Sequence, residues 1–166
     1  MVDSTKTDNN QPDRTTPTGD GPPEPPSDAL AAELAAAREV DPHGLRVLIE
    51  ALSPRATEAG RAAIAVLSVL LRDDEQVNDL AVGQLAGANA VVALTDQRVV
   101  LASDRRYRAD AFEFPLAPGL EVEGWQDGAE ATVIVRDKAD SVTLEHVIDR
   151  PAAQRFAAGV ELALGD

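Results

Sequence analysis

Cysteine is absent from the 166 residues, which removes disulfide frameworks and thiolate chemistry and suits a reducing compartment. Cationic side chains are few. Lys and Arg number 15 against 29 Asp and Glu, for a formal charge of −14 and an isoelectric point near 4.4. Binding to phosphate backbones requires a basic stripe that releases counterions, so this balance argues against nucleic acid as a partner. It also disfavours attraction to anionic membrane surfaces. No apolar run reaches the roughly 18 residues of a membrane span. The opening MVDSTKTDNNQPDRTTPTG has no apolar core of a secretory signal, so the expected location is the cytoplasm. Aromatics are rare as well, at three Phe, one Tyr and one Trp. A core must therefore be filled with Val, Leu and Ala.

Residues 1–27 are mostly Pro, Gly, Thr, Asp and Asn. Such a segment buries too little surface to offset its ordering entropy, so a disordered, solubilising acidic tail is expected there. Residues 28–72 read as helices. Asp28 is placed to cap ALAAELAAAREV, in which Leu30, Leu34 and Ala37 form a thin stripe. Asp41-Pro42 and Ser53-Pro54 both look like helix starts with proline at the first helical position. The first leads into Leu45, Leu48, Ile49 and Leu52 at helical spacing. The second opens the most apolar helix, with Ala59, Ala62, Ala63, Val66, Leu67, Leu70 and Leu71 along one face. Ile64 and Val69 lie off that face, and an apolar surface wider than one stripe suggests self-association or partner docking.

After Glu75 the period falls to two. Strands are expected near 76–85, 90–95, 98–103, 110–116, 120–126, 131–137 and 141–148, separated by the turn signals AGAN, TDQR, SDRRYR, APG, QDG and DKAD. From Asp149 the helical period returns, with Ala153, Phe156, Ala157, Val160 and Leu164 on one face. The expected fold class is α+β, with residues 73–166 as a separable antiparallel sandwich or partly open barrel closed by the last helix. Within it the hairpin VVALTDQRVVLAS, residues 91–103, is apolar on both faces. Both faces must then be covered, one by an opposing sheet and the other by a helix or long loop.

VVALTDQRVVLAS resembles the Thr-Asp-x-Arg hairpin of bacterial pleckstrin-homology-like domains and, more distantly, of GRAM domains. The preceding LLRDDEQV is similar to the Leu-x-x-x-Glu-x-Val lead into their first strand, and the resemblance spans residues 70–164. It implies a seven-stranded bent barrel capped by one helix, and a binding role without catalysis. It carries over no active-site residue.

The residues themselves supply little chemistry. Asp96 suits an Asx-type turn, and Arg98 suits a pairing with Asp96 or with an acid on a neighbouring strand. His43, in DPHG, reads as solvated, and His146 continues the face of Val142 and Leu144 as a rim histidine. No Gly-x-Ser-x-Gly elbow is present, and GQLAG lacks the Lys-Ser/Thr of a phosphate loop. With two isolated histidines and no cysteine, neither a metal nor a cofactor is expected.

Two features point to a partner instead. Arg105, Arg106 and Arg108 flank Tyr107 in a loop of an otherwise acidic chain, a pattern suited to carboxylate or phosphate contacts. The first hairpin loop, AGAN, has no Lys or Arg, so capture of a lipid headgroup there is not expected. Trp125 is the other. Strict alternation in LEVEGWQD points Leu120 and Val122 inward and Trp125 outward as an anchor, whereas a bulge at Gly124 turns Trp125 into the core, the preferred reading. The expected function is a non-catalytic protein-interaction or scaffold module with a possible homodimer, the alternative being a small-ligand or lipid-binding barrel with an apolar cavity of roughly 300 Å3 or more.

Overall fold

The computed structural model describes residues 36, 40–105, 109–128 and 130–165. The expected tail and the helix capped by Asp28 fall outside these residues, except for Ala36 and Val40, which are both helical. Asp41-Pro42 opens a turn and not a helix. Gly44 takes a left-handed backbone (φ 72°) immediately before α1, Leu45–Glu50. Asp41 still serves the helix start, because its Oδ2 accepts a hydrogen bond from Arg46 N at 2.8 Å. Ser53-Pro54 behaves as its sequence predicts. Ser53 Oγ accepts from Ala56 N at 3.2 Å, Pro54 takes the first turn, and α2 runs Pro54–Leu70.

Seven strands follow: β1 Val77–Leu85, β2 Ala88–Thr95, β3 Arg98–Ser103, β4 Ala111–Pro115, β5 Glu121–Asp127, β6 Glu130–Arg136 and β7 Ser141–Leu144. The chain ends in α3, Pro151–Gly165. The strands form two antiparallel sheets, ordered β1-β2-β3-β4 and β5-β6-β7. The class is α+β as expected, but the sheets do not close into a barrel. Gly119 (φ 102°) helps turn the chain from β4 in one sheet to β5 in the other, and those two strands do not pair. Among the described residues, backbone hydrogen bonds join the two sheets at one corner. There Gln84 and Glu145 exchange backbone hydrogen bonds of 2.7 and 2.8 Å, and Ile148 N donates to Val82 O at 2.9 Å. β7 also ends four residues earlier than its pattern suggested, because His146 adopts a left-handed backbone (φ 50°).

The hairpin β2-β3 is covered on both faces, as its sequence demanded. Val92, Leu94, Val99 and Leu101 pack into the sandwich interior with Val133 and Val135 of β6 and Phe156 of α3. Val91, Ala93, Val100 and Ala102 face the other way, into a second core built by Ala56, Ala63, Ile64 and Leu67 of α2. The buried face of α2 is rotated from the sequence expectation. Ile64 lies in it at 8% exposure, so it is no surface contact, while Ala62 is exposed. The cause is Gly60, where an added Cβ would lie 2.8 Å from Val82 Cγ2. The helix sits so close to β1 that small residues must face the sheet. Val69 stays on the outside, 84% exposed.

Because α2 covers one face of β1, β2 and β3, residues on both sides of position 72 share one core. Each Val or Leu left uncovered forfeits about 1.5–3 kcal/mol. A fragment beginning at Arg72 is therefore expected to aggregate or to lose cooperative unfolding, checked by light scattering and thermal circular dichroism. A soluble fragment melting like the full chain would show that α2 is dispensable.

Glycine is required once more, at position 124. A Cβ built there would lie 1.9 Å from Ala153 O, so the first turn of α3 rests directly on the β5 backbone. β5 is regular across Gly124, pairing Gly124 with Val133 and Trp125 with Thr132. The bulge reading is thus overturned, and Trp125 points outward at 41% exposure. Gly124→Ala should cost about 3 kcal/mol, at the upper end of overpacking losses, because backbone and not a flexible side chain must yield. Chemical denaturation measures this, and a loss below about 1 kcal/mol would contradict the close seating.

Candidate functional site

The hairpin turn and the lead into β1 form the densest polar cluster in the described residues. Arg98 is buried, and its Nε and Nη2 donate to Glu75 Oε1 and Oε2, both at 2.8 Å. Nη2 also donates to Leu70 O at 2.8 Å, satisfying a carbonyl at the end of α2, and Nη1 pairs with Glu113 of β4. Thr95 Oγ1 donates to Glu75 Oε1 at 2.7 Å and accepts from Gln97 N and Arg98 N at 3.1 and 3.0 Å. Arg72 N completes the carboxylate's partners at 3.0 Å. The two motifs that carry the family resemblance therefore meet in space. Arg98 does not pair with Asp96. Asp96 instead bridges to the residue just before β1, its N donating to Gln76 O and its Oδ1 accepting from Gln76 N, both at 3.0 Å.

Burial alone would push the Glu75 carboxyl up. The hydrogen bonds from Arg98, Arg72 N and Thr95, with the Arg98 charge, outweigh it and hold the group at about 2 instead of 4.5. The Glu75 contact in turn raises Arg98 further above its ordinary range, against the opposing effect of burial. No buried side-chain polar atom among the described residues lacks a partner. The cluster's own donors and acceptors are thus spent on one another, and its work is structural.

His43 belongs to the same neighbourhood and is not solvated as its sequence suggested. It is half-buried, its Nδ1 donates to Glu75 O at 2.8 Å, and its carbonyl accepts from Val77 N at 2.9 Å. His146 departs from expectation in the other direction. Its left-handed backbone takes it off the Val142 and Leu144 face, and it is exposed.

Among the described residues, the expected partner-binding positions lie on separate elements. Arg105 is exposed, yet its guanidinium pairs with Asp110 of its own loop at 3.2 Å. Arg106, Tyr107 and Arg108 lie outside the described residues. Trp125 stands on the outer face of β5, and Val69 on the outer side of α2.

What sequence reasoning missed is an open cleft of about 1190 Å3 between α1, α3 and β1. Leu48 and Leu52 form one wall, Leu162 and Ala163 the other, and Leu80, Leu94 and Ile148 also line it. Leu162 is 72% exposed. Polar groups at the lining include Asp149, whose Oδ2 accepts from Ser53 N at 3.1 Å, and an Arg155–Asp79 pair with contacts of 2.9 and 3.0 Å. That pair raises Arg155 above its ordinary range. The signal was present in the sequence: Leu162 sits off the Phe156 and Val160 stripe.

No protein-family model matches the chain, and no curated protein does. Among solved structures, the chain is similar to a DUF1696 family protein with a pleckstrin-homology domain from Shewanella loihica. Identity is 14% and the TM-score 0.36, over 66% of this chain and 93% of that one. No helix among the described residues is long and apolar enough to cross a membrane.

The Glu75 carboxyl sets an acid limb for stability. A group held below its unfolded value stabilises the fold fully above about pH 4.5 and loses that contribution as pH falls toward 2. The shift corresponds to about 3 kcal/mol at neutral pH. Glu75→Gln is therefore expected to lose about 3–5 kcal/mol at pH 7, since it strands a buried guanidinium. Urea titrations across the acid range should show the deficit shrinking as pH approaches 2. A deficit constant with pH would separate the loss from ionisation.

Proposed function

We propose that the chain is a non-catalytic protein-interaction module of pleckstrin-homology-like architecture, acting in the bacterial cytoplasm. Seven strands in a four- and a three-stranded sheet with a final helix support this architecture in strand count and closing helix, although the sheets do not close into a barrel. The observation that carries the interaction reading is the cleft between α1 and α3, with Leu162 exposed beside the half-buried Leu48 and Leu52. Its occupant is the apolar face of an amphipathic helix from a partner protein. Facing leucine walls suit anchors spaced at i, i+3 or i+4, and i+7, while Asp149 and Arg150 offer both charge signs to the helix flanks. At about 1190 Å3 the cleft also exceeds the span usual for one small ligand.

Peptides selected by display on the full chain test this reading. Enriched sequences should carry helical apolar spacing and shift the methyl resonances of Leu48, Leu52 and Leu162. Leu162→Glu, a change at an exposed position, should weaken the selected peptides about tenfold or more, the worth of one buried leucine. Unchanged affinity, or shifts confined to other faces, would sink the cleft as the docking surface. A mass that doubles with concentration and reverts in Leu162→Glu would instead identify a second copy as the occupant.

A further inference from the structure

A second cavity, of about 540 Å3, lies where the N-terminus of α2 meets the end of β1 and the segment after β7. Its lining consists of Arg55, Gln84, His146, Val147, Ile148 and Arg150, with no carboxylate. In a chain with 29 acids and 15 basic residues, that composition needs a reason. Ion pairing sharpens it. Of the nine described arginines, six are paired with carboxylates: Arg61, Arg72, Arg98, Arg105, Arg136 and Arg155. Two of the remaining three, Arg55 and Arg150, line this one cavity.

The donors are also held in place. Arg150 Nη1 donates to Gly128 O in the β5-β6 turn, which anchors its stem and leaves its other N–H groups free among the described residues. The backbone of Gln84 is fixed by its pairing with Glu145, which sets where its side chain starts. His146 is brought to the cavity by its left-handed backbone, a conformation a non-glycine residue adopts at some cost. Arg55 stands in the first turn of α2, where the helix dipole adds positive potential.

We propose that this cavity binds the phosphate group of a small soluble phosphomonoester. Two guanidinium groups, an imidazole and an amide supply more donors than one carboxylate has lone pairs to accept, and they match the three terminal oxygens of a phosphate. The volume exceeds that of the anion and leaves room, beside Val147 and Ile148, for the group that bears it. A soluble source is favoured over a lipid headgroup because a chain of charge −14 is repelled by an anionic bilayer. The site shares Ile148 and Arg150 with the rim of the leucine cleft and is distinguished from it by Arg55, Gln84 and His146; Arg55 also lies outside the stretch that carries the family resemblance.

Titration of the full chain with inorganic phosphate and with glycerol 3-phosphate, followed by backbone amide shifts and calorimetry, tests the assignment. Both probes should bind saturably and shift Arg55, Gln84, His146 and Arg150. Arg55→Gln with Arg150→Gln should weaken binding at least tenfold. Arg46→Gln, which removes the remaining described arginine without an ion pair and does not touch the cavity, should leave it unchanged. Vesicles of phosphatidylcholine with phosphatidic acid distinguish the source. Binding to vesicles without binding to either soluble probe would overturn the proposal. So would soluble binding that all three substitutions weaken equally, which is attraction to net charge, or that none of them alters.

Discussion

Arg98 holds together parts of the chain that would otherwise be independent. One guanidinium reaches the last turn of α2 through Leu70 O, the lead into β1 through Glu75, and β4 through Glu113. Burying a charge this deeply is unfavourable unless its hydrogen bonds are met and an opposite charge is adjacent. Both conditions hold here, and only when helix, hairpin and edge strand occupy their places together. The ion pair thus acts less as a source of net stability than as a condition on geometry. Alternatives that slip the hairpin by one residue leave Glu75 or Arg98 buried without its partner.

Much of the architecture was legible because one local rule and one global demand agreed. Alternation located the strands to within a few residues, and the doubly apolar hairpin required two covers, which α2 and the opposing sheet with α3 provide. The misreadings share a cause as well. Ile64 looked peripheral on a helical wheel, but Gly60 lets α2 approach β1 so closely that the buried stripe rotates toward it. Trp125 looked like a core residue displaced by a glycine, whereas Gly124 is there to receive the backbone of α3. In both cases glycine was answering to a neighbour distant in sequence.

The polar cluster was half legible. Thr95, Asp96 and Arg98 announced a turn, but the partner of Arg98 sits 23 residues earlier, in the LLRDDEQV lead, which the resemblance set before the hairpin without pairing the two. A clue was the setting of Glu75, a carboxylate between Leu71 and Val77 at the mouth of a strand. The leucine cleft was harder to foresee, since it arises from the placement of two helices separated by most of the chain. The basic cavity had no linear signature, because its residues belong to three elements and none of them forms a motif.

The bond from Ser53 N to Asp149 bears on the order in which the molecule assembles. It ties the capping residue of α2 to the residue two before α3, across 96 positions. A second tie, Arg155 to Asp79, spans 76. During synthesis α2 emerges long before either late partner exists, so its apolar face must wait, uncovered, for the sheet and then the chain end to arrive. Closing such long loops is slow, and the waiting helix is the species most exposed to wrong associations.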